Sequence, residues 1–342
     1  MRARLMKMLA RLRTPCWVRS LLTKAYLRTL AWSGQPIILG PMKSELGFEQ
    51  LYWLPFLHWA LTYAKIPPER CIALSRGGMG SLYPATRAVD LYSLAGGVDS
   101  VRNENTLRIE QNREIKQMRW TPWDRHAVQE AADSLGLTRY RTLHPSWMYW
   151  LLRPYWDEQA TIRHVTRHAI FAPFPLATLP EGFGLPEKFV AVRFYERHTF
   201  PLTEQVRALC VEMVQALASH TPVVLLNQTV FADDHTDLPL KGPNIYVLPQ
   251  VAPEQNFLLQ AAVLARAQGF VGTYGGVAQW ALRFGKPSIS FYTHFGGTSF
   301  AHRALCEQIA ATMQVPCEVS DLRARGLWQA TLLQLIKEPV AG

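Results

Sequence analysis

The stretch Phe270–Tyr292, FVGTYGGVAQWALRFGKPSISFY, constrains the fold more than any other. An apolar run from Gln268 to Val271 meets a Thr273-Tyr274-Gly275-Gly276 turn. A helical pattern follows, then a Gly-Lys-Pro break and a second β-branched run. This order predicts a strand, a glycine turn, a helix and a second strand, which is one βαβ unit of an open parallel sheet. Gly275 and Gly276 would leave backbone N–H groups uncovered at the helix N-terminus, where the dipole and the orphan donors favour an anion. The plainer alternative is a tight turn that needs positive φ at Gly275.

The same alternation runs along most of the chain. Strands are predicted at Pro36–Gly40, Cys71–Ser75, Leu91–Leu94, Arg139–Leu143, Phe189–Phe194, Pro222–Leu226 and Ile245–Leu248. Helices are predicted from Glu45 through Leu61 (capped by Ser44, kinked at Pro55), over Trp123–Leu135, from Thr203 to Ser219, over Pro253–Arg266 and around Ala301–Met313. From Pro154 to Pro186 the chain turns proline-rich and reads as a linker. A length of 342 residues suits two domains. The expected architecture is α/β: two Rossmann-like parallel-sheet domains facing across a cleft, preceded by a basic N-terminal arm. Its divisions are an arm over 1–35, an N-terminal domain over 36–165, a linker over 166–186 and a C-terminal domain over 187–342.

The formal net charge of +10 is concentrated at the N-terminus. Before Glu45 there is no Asp or Glu but there are nine basic residues: Arg2, Arg4, Lys7, Arg11, Arg13, Arg19, Lys24, Arg28 and Lys43. The remaining 27 basic and 26 acidic residues nearly cancel, which argues against a nucleic-acid-binding surface. Arg4, Lys7 and Arg11 share a helical face roughly opposite Leu5, Leu9, Leu12 and Cys16. The arm therefore reads either as a segment that lies on anionic lipid or as a solvated terminus. Basic residues interrupt every apolar stretch there, so no secretory signal is expected. The run Leu51 to Leu61 is too short to span a bilayer. Five scattered cysteines with no CxxC spacing point to reduced thiols and a cytoplasmic setting. Aromatic residues at 11% suit a carbohydrate or nucleotide site, and they also simply fill cores.

Candidate chemistry gathers at the predicted carboxyl ends of strands, where open α/β sheets bind ligands. Arg193 and Arg197, in RFYERH, offer planar forks for a diphosphate; the alternative is a salt bridge with Glu196. Glu45, or Glu49 one turn later, is placed to accept a proton as general base; otherwise Glu45 merely favours the helix dipole. The Arg76-Gly77-Gly78 turn is an acceptor or phosphate contact, or a plain glycine turn. His144, His198 and His294 lie near predicted strand ends as possible cleft residues, although a lone histidine is usually structural. Asp233-Asp234-His235 sits in a polar loop and reads as solvated or sugar-contacting, not as a metal site. The first-strand turn lacks GxGxxG, which weakens a nicotinamide reading.

VGTYGGVAQWALRFGKPSISFY resembles the late βαβ segment of GT-B-fold glycosyltransferases, particularly the heptosyltransferase-like and fucosyltransferase-like groups. GPMKSELGFEQLYWLPFL is similar to the opening strand–loop–helix of bacterial surface-polysaccharide glycosyltransferases. With RFYERHTFP and LLNQT, the resemblance runs from about Pro36 to Met313. It implies a nucleotide-sugar substrate and no cofactor. Thr273, Tyr274, Gly275 and Gly276 would meet the donor phosphates, and Arg197 with Arg193 would neutralise the leaving diphosphate. Transfer would be metal-independent, with Glu45 in the place of the acidic base. The acceptor would be a glycan or a lipid-linked sugar, and the setting cytoplasmic or peripheral on the inner membrane face. Tyr274 departs from the family pattern, in which Asp precedes a Thr/Ser-Gly turn, so the donor pocket differs. A nucleotide-sugar 2-epimerase of the same architecture, and a non-catalytic glycan- or nucleotide-binding protein, are the alternatives.

Overall fold

A computed structural model describes residues 14–94, 96–110, 117–176, 179, 183–197, 199–226, 236–294 and 299–324. Two parallel sheets organise them. The first is built from β1 (Ile37–Leu39), β2 (Cys71–Ser75), β3 (Arg87–Asp90) and β4 (Arg141–Leu143), in the order β3-β2-β1-β4. The second contains β5 (Val190–Arg193), β6 (Val223–Leu225), β7 (Ile245–Val247), β8 (Phe270–Thr273), β9 (Ser288–Tyr292) and β10 (Cys317–Asp321), in the order β10-β9-β8-β5-β6-β7. Every pairing is parallel. The architecture is thus two Rossmann-like α/β domains, as the alternating pattern predicts.

Burial explains why the central strands are readable. Both faces of β1, β2 and β5 are covered, so their sequences are continuous apolar runs. Side chains alternate between layers: Ile37 and Leu39 enter one core, and Ile38 enters another with Ile72, Leu74 and Val128. The largest core does not stop at a domain boundary. It runs from Leu27, Ile37, Trp53, Phe56 and Tyr149 into Phe257, Trp280 and Ile309 of the second domain.

Several local expectations are corrected. The third strand is Arg87–Asp90, whereas Leu91–Ser93 winds into a 3-10 turn. Asp90 stops the strand by accepting the Tyr92 N–H at 2.9 Å. The helix after β1 is not simply kinked at Pro55. It runs as Leu46–Phe48, a π-helical stretch Glu49–Trp53, and Leu54–Ala64. Proline cannot donate to the carbonyl four residues back, and the Leu54 N–H just before it reaches five residues back to the Glu49 carbonyl. β10, absent from the sequence reading, pairs with β9 as a half-buried edge.

The proline-rich linker begins later than Pro154, which lies inside the Ser146–Trp156 helix. The carbonyl that Pro154 leaves without an N–H is that of Trp150, and Arg19 Nη1 donates to it at 2.5 Å. Arg19 belongs to a 17-residue helix, Cys16–Trp32, so residues 16–32 are no detached arm. That helix is fastened to the first domain at several points. Tyr26 donates to the Thr142 carbonyl (2.5 Å) and stacks on Trp147 (4.2 Å), and Ser20 Oγ bonds His168 Nε2 (2.9 Å). Arg70 donates to the carbonyls of Leu30, Ala31 and Gln35, closing the helix C-terminus. The basic residues Arg2, Arg4, Lys7, Arg11 and Arg13 lie outside the described residues.

Candidate functional site

In the second sheet the strand order reverses between β5 and β8. The loops leaving the carboxyl ends of these neighbours define the crevice where open α/β sheets take ligands. They are Phe194–Arg197 and Tyr274–Gly276. Thr273 Oγ1 clamps them together, accepting the Tyr195 N–H at 3.0 Å and donating to the Tyr195 carbonyl at 3.3 Å. Arg197 Nη1 donates to the Tyr274 carbonyl at 3.4 Å. Above this clamp starts the Gly276–Arg283 helix, with no side chain capping its N-terminus. Its first intrahelical bond is Gln279 N–H to the Gly275 carbonyl, so the earlier amides of that turn have no intrahelical acceptor.

Gly275 is not the positive-φ turn considered from sequence. Its φ is 171°, an extended conformation. Glycine is needed there for space: a Cβ would collide with the Tyr195 hydroxyl and lie 3.1 Å from Arg197 Nη1. Gly276 is the point where the domains touch. A Cβ on it would lie 2.9 Å from the Gly47 nitrogen and 3.1 Å from Leu46 Cβ. Leu46–Phe48 is itself a helix start without a side-chain cap, and Glu45 is its N-cap residue. Two helix N-termini, one from each domain, therefore meet beside Arg197. The guanidinium is half-buried, and its Nε has no hydrogen-bond partner among the described residues. Glu45 is exposed at the same junction, and its carboxylate caps nothing.

Other sequence candidates have different occupations. Glu49 is fully buried, accepting from Ser75 Oγ (2.8 Å), Tyr83 Oη (2.5 Å) and Arg76 Nη1 (3.3 Å). It is sealed from any acceptor hydroxyl, so it is not a base. Arg76 also donates to the Met42 and Ser44 carbonyls, fixing the loop that carries Glu45. The Gly77-Gly78 turn does not line an open cleft. The Gly77 carbonyl accepts the N–H groups of Phe257 (2.9 Å) and Leu258 (3.0 Å), serving the N-terminus of the second domain's Asn256–Arg266 helix. Both glycines have positive φ, 62° and 83°.

Arg193 is buried, its Nε engaged with Asp237 at 2.9 Å and its guanidinium over the Tyr195 ring, while its Nη2 has no hydrogen-bond partner among the described residues. The Thr273 hydroxyl is likewise used by the clamp. The Tyr274 ring points inward to Cys306, and burial pushes its phenol pKa far above the ordinary value. Only the Tyr274 backbone borders the crevice.

His144 belongs to a buried network at the reversal point of the first sheet, between β1 and β4. Lys43 Nζ stands 2.7 Å from both Asp124 Oδ1 and Glu104 Oε1, and His144 Nε2 is 3.5 Å from Asp124 Oδ2. The Ser146 N–H donates to His144 Nδ1, which leaves the ring proton on Nε2, facing Asp124. Burial works against the Asp124 charge, yet the His144 hydrogen bond and the Lys43 ammonium hold it well below the usual carboxyl range. Burial also lowers the His144 pKa, despite Asp124. The group is internal and paired. His294 is exposed just after β9, its N–H donating to the Thr199 carbonyl. His198, Asp233, Asp234 and His235 lie outside the described residues.

The junction thus brings together Glu45, Arg197, Gly275 and Gly276. Sequence reasoning missed Tyr195, whose hydroxyl faces Gly275, and Leu46–Gly47, which faces Gly276. The signal for Tyr195 was its place within the RFYERH stretch, between two arginines already singled out.

No protein-family model matches the chain, and no curated protein sequence does either. Similar solved structures include E. coli ADP-heptose lps heptosyltransferase II, with 11% identity, 88% of this chain and 99% of that one covered, and a TM-score of 0.45. A glycosyl transferase family 9 protein from Veillonella parvula DSM 2008 shares 12% identity over 87% of this chain and 89% of its own, with a TM-score of 0.42. UDP-GlcNAc 2-epimerase from Methanocaldococcus jannaschii shares 9% identity over 90% and 93%, with a TM-score of 0.36. The first two are of the kind that the sequence resemblance names. At such scores these likenesses carry no argument, and the fold rests on the two parallel sheets.

Proposed function

We propose that this chain is a glycosyltransferase that moves a sugar from a nucleotide-sugar to a hydroxyl of a glycan or lipid-linked acceptor in bacterial surface-polysaccharide synthesis. One observation carries the reading: two uncapped helix N-termini, one per domain, meet beside the half-buried Arg197 where the second sheet reverses. The amides of the Gly276 turn and the guanidinium face the donor diphosphate. Their positive potential stabilises charge as the bond from the anomeric carbon to the phosphate oxygen breaks, and the electron pair leaves on the diphosphate. The acceptor oxygen forms the new bond to that carbon, and its proton passes to the Glu45 carboxylate.

The test is calorimetry of nucleoside diphosphates with Arg197→Ala, combined with turnover assays. Losing a charge-assisted contact of about 1.5–3 kcal/mol weakens binding about 10- to 150-fold. Unaltered affinity removes Arg197 from the site. Glu45→Gln is expected to keep diphosphate affinity and lose transfer. Conversion of a donor to its epimer without acceptor would favour the epimerase. Diphosphate binding with no turnover in either protein would favour a binding module.

A further inference from the structure

We infer that the outward face of the Cys16–Trp32 helix docks on an anionic lipid bilayer, with the helix lying in the surface plane. This does not rest on the transferase reading. The helix buries Arg19, Thr23, Leu27 and Leu30 against the first domain. At about 100° per residue, Trp17, Leu21, Arg28 and Trp32 fall within about 60° of one another, opposite that buried stripe. Their exposure is that of a face turned to solvent: Trp17 69%, Leu21 56% and Trp32 80%, with Leu22 at 37% beside them. Both exposed large tryptophans among the described residues stand at the two ends of this one helix, ~22 Å apart at 1.5 Å per residue. A helix fastened by one face and apolar on the other needs a partner.

Charge selects that partner. The first 44 residues contain nine Lys or Arg and no Asp or Glu, and of the nine only Arg19 and Lys43 are buried among the described residues. Lys24, at one border of the face, and Arg28, within it, hold Nζ and Cζ 5.3 and 5.6 Å from the Tyr63 ring centre. Arg163 and Arg167 are exposed on the neighbouring segment, where His168 meets Ser20. Two copies of so basic a face repel, whereas an anionic surface with an apolar interior matches both features. Terminal tryptophans beside cations suit the headgroup boundary. No described helix is long and apolar enough to cross a membrane, which fits a helix lying on the surface.

The experiment is co-sedimentation of the full chain with phosphatidylcholine vesicles, with and without phosphatidylglycerol. Binding is expected to the anionic vesicles and not to phosphatidylcholine alone. Trp17→Ser with Trp32→Ser should lower the binding constant about tenfold or more, as two large apolar side chains no longer enter the boundary. Thermal unfolding of this variant should match the parent, since both side chains are exposed. A parent that ignores anionic vesicles overturns the proposal, as does a double variant that binds equally well. So does loss of binding on deleting residues 1–13 when the tryptophan pair has no effect. A parent dimer that the pair abolishes, with no vesicle binding, would assign the face to a second copy instead.

Discussion

Replacing Gly276 with Ala adds one methyl group where the domains touch. Its carbon would lie 2.9 Å from the Gly47 nitrogen and 3.1 and 3.2 Å from Leu46 Cβ and Cγ. The nearest of these atoms is backbone, so it cannot swing away as a side-chain end would. Inserting a methylene-sized group into a packed contact costs about 1–3 kcal/mol, and the better helix propensity of Ala returns about 1 kcal/mol at most. The stress is relieved by parting the Leu46–Gly47 turn from the Gly276 turn, which separates the two sets of amides. If both sets hold one anion, a net loss of about 1–2 kcal/mol weakens diphosphate binding about 5- to 30-fold. Calorimetry with a nucleoside diphosphate and with inorganic pyrophosphate reads this directly. The control is Gly184→Ala, where the added carbon would meet nothing within 4 Å. Unchanged affinity in Gly276→Ala, with circular dichroism intact, would show that the anion does not sit between the turns.

Two further outcomes follow from buried groups. Glu49→Gln leaves the Arg76 charge buried without its carboxylate, and breaking such a pair is expected to lower stability by about 3–5 kcal/mol in urea denaturation. An unshifted midpoint would mean that Arg76 finds solvent. Burial lowers the His58 and His168 pKa values to about 4, below the unfolded value. The unfolded chain therefore binds more protons between about pH 6.5 and 4, so stability is full above that window and falls as pH drops through it. Urea midpoints at pH 7 and pH 5 check the sign, and His168→Gln should flatten the slope.

The sequence revealed what depends on burial and local turn chemistry. β1, β2, β5 and β8 sit between covered faces, so apolar runs mark them, and the Thr203 hydroxyl accepting the Val206 N–H announces its helix directly. Arg87–Asp90 is missed because its residues are exposed or half-buried and carry no such run. β10 is missed for the same reason. The Cys16–Trp32 helix is hidden by its charges, which suggest solvent until Arg19 is seen to answer a carbonyl freed by a distant proline. At the junction, the placement of Gly275, Gly276 and Arg197 at strand ends is readable because it follows from local pattern. Glu49 is misjudged because a carboxylate's role depends on its partners, and Ser75, Arg76 and Tyr83 reach it only through packing. The Gly77-Gly78 turn shows its conformation in sequence but not the helix of the other domain that it serves.

That last contact bears on how chains of this plan can be recombined. Two amides of the second domain end on a carbonyl supplied by the first, and a single apolar core crosses between them. Swapping one half for that of another chain would strand those amides and bare Phe257 and Trp280 unless an equivalent of the Gly77 turn came with it. Tolerated change is thereby steered toward single residues and loop lengths around the junction, and away from exchange of whole domains.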